Sequence, residues 1–227
     1  WNATLGVTSR QEIDTRITEA IGGRRNWLLI GGPPCQAYSL VGRSKMIGEK
    51  GREKYESDHR HFLYREYLRI IADFRPRVFV MENVKGLLSA TLNGRSTISK
   101  ILADLQRPVA AIHGPRHPDC KVAYRLVSLA VPPSGASGEL VPSDFTVRAE
   151  KYGVPQCRHR LIIVGLAERV KSSPGLLTEQ PEATVADAIG DLPALRSGVS
   201  KEPDSGASWC EVVGSIRQSG WLYAPQV

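Results

Sequence analysis

Two short apolar runs, with helical spacing before each, set the tightest limit on the fold. WLLI at 27–30 and VFVM at 78–81 are too short for buried helices, and each opens into a polar or glycine-rich loop, which predicts two buried strands. Before the first, Ile13, Ile17 and Ile21 recur every four residues. Ser9 and Glu12 stand in capping-box positions, and Gly22 with Gly23 supplies the stop. Before the second, Leu63, Tyr67, Ile70 or Ile71, and Phe74 line one face of a helix over 59–74 that Pro76 ends. A third helix is predicted over 97–105, on Ile98, Ile101, Leu102 and Leu105. Alternating helix and strand is the rhythm of an α/β, doubly wound parallel sheet, whose functional groups gather beyond the carboxyl ends of the strands.

Periodicity lapses over 106–143, where prolines and glycines accumulate around a strand-like YRLVSLAV at 124–131, so this segment reads as an insertion or surface excursion. Phe145 to Ala149 and Leu161 to Val164 are further strand candidates, on either side of KYGVPQCRHR at 151–160. Residues 1–193 are thus read as one domain segment, and 194–227, polar and turn-rich, as a linker or the start of another region. A segment of this length can bury a sizeable core without staples. The four cysteines are far apart and form no CxxC pair, which argues against a disulfide framework or a zinc site and for a cytoplasmic setting. No apolar run approaches the roughly 18 residues that span a membrane. The formal net charge of +7 suits a polyanionic partner such as nucleic acid, and equally a solvated basic surface.

Both strands deliver chemistry-bearing residues. The first runs into GGPPCQAYSLVG at 31–42. A cysteine on a proline-stiffened loop at a strand end can have its thiolate stabilised and its sulfur aimed, as a nucleophile requires; the plain alternative for Cys35 is a small buried hydrophobe. The second strand exits at Glu82, Asn83 and Val84. A carboxyl group partly buried at such an exit can hold a proton and donate it, and a glutamate there can equally cap the next turn. Arg158 and Arg160 alternate along an expected strand, which would turn both guanidinium groups to one face for anion or carbonyl recognition. Surface arginines often make the same pattern.

Together these loops resemble the cytosine-C5 DNA methyltransferase family. PPCQ with its following aromatic and serine (Pro33, Pro34, Cys35, Gln36, Tyr38, Ser39) is similar to the family's catalytic loop. ENV (Glu82 to Val84) is similar to its proton-donor loop, and QCRHR (Gln156 to Arg160) to its Gln-x-Arg-x-Arg strand, in the family's order. The resemblance covers about 27–193. It implies the catalytic half of a Rossmann-like methyltransferase sheet acting on double-stranded DNA, with S-adenosylmethionine as methyl donor. It further implies that Cys35 attacks C6 of a flipped-out cytosine, Glu82 engages N3, Arg160 contacts O2, and Arg158 steadies the catalytic loop or a phosphate. Asn83 would brace the cysteine loop, Gln36, Ser39 and Gln156 would lie along the substrate, and Pro34 and Leu63 would touch the cofactor. A restriction-modification or related defence setting follows from the same resemblance.

The sequence departs from the family in specific ways. The glycine-containing cofactor loop and acidic ribose residue that relatives carry upstream have no counterpart before Gly31, and little of a target-recognition region follows Arg160. The expectation is therefore a fragment of a longer enzyme, one subunit whose separate partner chain brings the cofactor half, or a degenerate remnant, the first being favoured. Two other readings stay open: a non-catalytic DNA-binding subunit, and a tRNA cytosine-C5 methyltransferase, whose relatives usually carry Thr in place of Ser39.

Overall fold

The computed structural model describes residues 8–33, 63–92, 94–132 and 140–191, together with 205–207, 210 and 214. It divides into two units, Trp1–Arg148 with His159–Thr178, and Ala149–Arg158 with Glu179–Val227.

In the first unit, helix α1 (Arg10–Ile21) begins on Ser9, whose hydroxyl accepts from Glu12 N, and ends on Gly22 in the left-handed conformation at φ 55°. It leads into strand β1 (Leu28–Gly31). Helix α2 (Leu63–Phe74) closes at Arg75, whose φ of 49° places a non-glycine residue in the left-handed cap just before Pro76. Strand β2 (Val78–Val84) follows. Helices α3 (Thr97–Gln106) and α4 (Pro108–His113) then lead to β3 (Tyr124–Val127), β4 (Thr146–Arg148) and β5 (His159–Ala167).

The fold is α/β, and its sheet is mixed where the rhythm of the sequence predicts a parallel one. Strand β1 pairs parallel with β2, Ile30 opposite Val80 and Gly31 opposite Met81. Strand β5 pairs antiparallel with β2 and, on its other edge, with both β3 and β4. Beyond β4 the chain turns back within ten residues, too short for the crossover that a parallel return needs.

The two faces of this sheet differ. Phe79 and Met81 of β2 with Leu161 and Ile163 of β5 are fully buried against Tyr67, Leu68 and Ile71 of α2 and Ile98, Ile101 and Leu105 of α3. Phe79 anchors this layer, edge-on to Tyr67 and tilted on Tyr124, with ring centroids 6.4 and 5.2 Å away. A Cβ at Gly165 would overlap the Phe79 ring. Burial pushes the Tyr67 and Tyr124 phenols up, and each hydroxyl donates to a backbone carbonyl, Val80 O at 2.8 Å and Pro76 O at 2.7 Å.

On the opposite face Val78, Val80, Ile162 and Val164 pack with Val127, Leu129, Leu166 and Val170, with no helix residue in that cluster. Leu28 and Ile30 of β1 are 49% and 69% exposed. The expectation that WLLI is a buried strand is corrected here: among the described residues helices cover one face only, so alternate residues of the run meet solvent.

Arg69 ties α1 to α2. Its side chain is 5% exposed and bonds Asp14 and Asp73, both at 2.9 Å, and Glu66 at 3.4 Å. Burial works to lower its pKa, and the hydrogen bonds it donates to Asp14 and Asp73, with their charges, outweigh that, leaving it raised. Losing the guanidinium would remove the one group that all three carboxylates share, leaving Glu66 to Arg10 and Asp73 to His113.

The second unit holds a 3-10 turn at Ala149–Lys151 and helix α5 (Val185–Ile189). Thr184 and Asp187 cap α5 reciprocally: Thr184 N and hydroxyl donate to Asp187 Oδ2, and Asp187 N donates to Thr184 Oγ1. Among the described residues no helix is long and apolar enough to cross a membrane, and no three side chains gather as metal ligands.

Candidate active site

Strand register brings two of the expected site residues together. Glu82 lies opposite Ile162, and Val84 opposite Arg160, so Glu82 and Arg160 are diagonal neighbours on adjacent strands. Their parity puts both on the face that carries Ile30, Val80 and Val164. Arg160 Nε forms an ion pair with Glu82 Oε1 at 2.9 Å, with the side chains 26% and 46% exposed, and Arg160 Nη1 donates to His159 O at 2.8 Å. The Glu82 carboxyl is thus half open to solvent, more accessible than a carboxyl buried at a strand exit would be.

Gly32 lies against this pair. A Cβ there would stand 2.9 Å from Glu82 Oε2, and one at Gly31 would stand 2.6 Å from the Tyr67 ring. Both glycines are therefore needed for close approach: one lets β1 sit on α2, the other lets the chain leaving β1 pass beside the carboxylate. Asn83, one residue on, turns to the helix-covered face and is buried. Its Oδ1 accepts from Val84 N at 2.9 Å and its Nδ2 donates to Pro33 O at 3.3 Å. One amide thereby joins the exit of β2 to the chain leaving β1.

The other expected residues are distributed differently. Pro34, Cys35, Gln36 and Ser39 lie outside the described residues, as does the side chain of Leu63, although Leu63 begins α2. Arg158 and Gln156 are exposed and belong to the second unit. The expected alternation of Arg158 with Arg160 along one strand is corrected: β5 starts at His159, and Arg158 precedes it. The backbone there serves a turn instead, with Ala149 N donating to Arg158 O at 3.0 Å.

Two residues that the sequence reading did not single out also stand at the site. Lys85 Nζ approaches His159 Nδ1 at 3.5 Å, next to the Glu82–Arg160 pair along β2 and β5. Their positions, the residue after ENV and the residue between the two arginines, were the available signal. With Arg160 they make the surroundings of Glu82 basic, which suits an anionic substrate.

For the methyl donor, the described residues provide bare backbone at Gly31 and Gly32 but no carboxylate at the exit of β1 to hold a ribose. Glu82, at the exit of β2, is committed to Arg160. The described residues therefore form at most part of an S-adenosylmethionine site.

Residues 6–107 match the family model of the C-5 cytosine-specific DNA methylases. The chain is 33% identical over 174 residues to the type II methyltransferase M.Bpa9945I of Bacillus paralicheniformis, covering 74% of this chain and 33% of that protein. To M.XorII of Xanthomonas oryzae pv. oryzae it is 31% identical over 185 residues, covering 81% and 34%. To the DNA (cytosine-5-)-methyltransferase M.ApeKI of Aeropyrum pernix it is 33% identical over 143 residues, covering 61% and 26%. The chain spans about a third of the length of the first two relatives.

Proposed function

We propose that this chain, whose residues 6–107 match the family model of the C-5 cytosine-specific DNA methylases, is a member of that family and carries the base-handling chemistry of a DNA (cytosine-5-)-methyltransferase of the type II modification kind. The reaction is transfer of a methyl group from S-adenosylmethionine to C5 of a cytosine flipped out of duplex DNA. The observation that carries the reading is the 2.9 Å contact between Glu82 and Arg160. N3 and the exocyclic O2 are both bonded to C2 of cytosine and lie side by side on its Watson–Crick edge, so the groups that engage them must themselves be neighbours. Glu82 and Arg160 currently satisfy one another; an entering base exchanges their mutual contact for hydrogen bonds along its Watson–Crick edge.

In this reading the Cys35 sulfur forms a bond to C6, and the electron pair displaced from the C5–C6 double bond is delocalised toward N3 and O2. Glu82 donates a hydrogen bond or proton at N3 and Arg160 stabilises the charge at O2. C5 becomes nucleophilic. Once C5 has been substituted, loss of its proton restores the double bond and expels the sulfur. Asn83, through Pro33 O, holds the start of the cysteine loop beside Glu82. Arg158, Gln156, Gln36 and Ser39 contact the DNA strand, and Pro34 and Leu63 the donor.

A test independent of the donor uses duplex DNA tritiated at cytosine C5. Reversible bond formation between Cys35 and C6 lets C5 exchange its hydrogen with water. The wild-type chain should release tritium and Cys35→Ala should not. Equal release by both proteins, or none by the wild type when it binds the duplex, would falsify the assignment. Glu82→Gln should slow release by roughly 10²–10⁴-fold, the usual worth of a positioned acid, while leaving the thermal midpoint unchanged.

A further inference from the structure

At the end of the sheet opposite Glu82, three elements bring four arginines to one groove. Arg24 and Arg25 follow the glycine stop of α1, Arg75 closes α2, and Arg169 follows β5; with Trp27 they line a cavity of about 480 Å³. Arg24, Arg25 and Arg169 are exposed and, among the described residues, their side chains make no hydrogen bond or ion pair. The carboxylate in the lining, Asp73, is already engaged, by Arg69 Nη1 at 2.9 Å and His113 Nε2 at 2.6 Å. Arg75 bonds Asp119 at 2.6 Å, and its Nε is buried with no partner. Arg75 also occupies the left-handed cap position that glycine normally takes, a strain retained where a particular side chain is wanted.

Clustered guanidinium groups without counter-charges repel one another, and their planar forks match phosphate oxygens. The groove lies roughly 20 Å along the strands from Glu82, at about 3.3 Å per residue, so it is not part of the base-handling site. We propose that it grips the phosphate backbone of duplex DNA at a point remote from the reacting cytosine, Trp27 giving the sugars an apolar wall. This rests on the reading of DNA as the substrate.

The test is binding of a labelled 20-base-pair duplex by anisotropy across a salt series, using the full chain and R24Q/R25Q/R169Q. A second triple of exposed residues on the same unit, K100Q/R116Q/K121Q, removes the same charge and serves as control. At about 0.9 per phosphate contact, the groove triple should lower the slope of log K against log salt by roughly 3 and weaken binding at least about tenfold at low salt. The control should change each by less than a third as much. Equal losses in the two triples, with thermal midpoints unchanged, overturn the proposal.

A competition arm with inorganic phosphate and dCMP identifies the source of the phosphate. If the groove triple abolishes mononucleotide binding but leaves duplex binding intact, the ligand is a free phosphate compound and the DNA proposal falls. Tritium exchange separates this claim from the catalytic one. Failed exchange with arginine-dependent duplex binding removes the reaction and keeps the groove; the converse keeps the reaction and removes the groove.

Discussion

The helix-covered and open faces of one sheet are built from alternate residues of the same strands, yet they answer to different demands. On the covered face of β2, Phe79 and Met81 are fully buried against two helices. On the other face Val80 leads to Glu82, and Ile162 to Arg160, so an apolar row ends in a charged pair that solvent reaches. The covered face supplies stability and leaves little room for chemistry. The open face gives up burial and gains access, as a site that receives a macromolecular substrate must.

The comparison is broken most severely by Phe79→Ala, which empties the anchor of the covered layer and should cost about 3–5 kcal/mol in chemical denaturation. Next comes Gly165→Ala, which pushes a methyl group into the Phe79 ring and should cost about 1–3 kcal/mol by overpacking. Ile30→Ser on the open face should stay within about 0.5 kcal/mol. A loss there as large as that for Phe79→Ala would mean that Ile30 is covered in solution.

The smallest effect lies in the second unit. The Thr184 hydrogen bonds hold the Asp187 carboxyl below its ordinary range. A carboxyl depressed on folding contributes above its unfolded value of about 3.9, and the contribution is lost as pH falls through the folded value. The amide shifts of α5 in NMR spectra should therefore move as acid is added below about pH 4, and Asp187→Ala should abolish that movement.

What the sequence makes legible follows the range of the interactions involved. Ser9, Gly22 and the four-residue isoleucine spacing place α1 because caps and helical faces are local. Helix α3 is equally readable, its predicted Ile98, Ile101 and Leu105 all buried. Helix α4 was hidden because Pro108 reads as a breaker, although proline is well suited to the first turn that it occupies here. Strand β5 extends beyond the expected Leu161 to Val164 because Gly165, an apparent stop, is the residue that makes room for Phe79. Phe145, expected to begin a strand, ends a 3-10 turn instead, and β4 starts one residue later.

At the site, motif order pointed to Glu82 and Arg160, but their contact depends on the antiparallel register of β2 and β5. That register is a property of chain reversal, which neither segment contains alone. The exposure of Leu28 and Ile30 was illegible for a related reason: an apolar run records what can be buried, and the layers stacked on it decide what is.

Asn83 leaves evolutionary drift almost no synonyms. Its two ends bond groups of opposite kind, an N–H at Val84 and a carbonyl at Pro33. Aspartate would meet that carbonyl with a second acceptor, serine would be too short to span both, and glutamine would carry an extra methylene into a buried slot. A lineage that abandoned the chemistry of Glu82 would still find this position hard to vary, so asparagine here records the geometry of two strand exits and not, by its persistence alone, the survival of an activity.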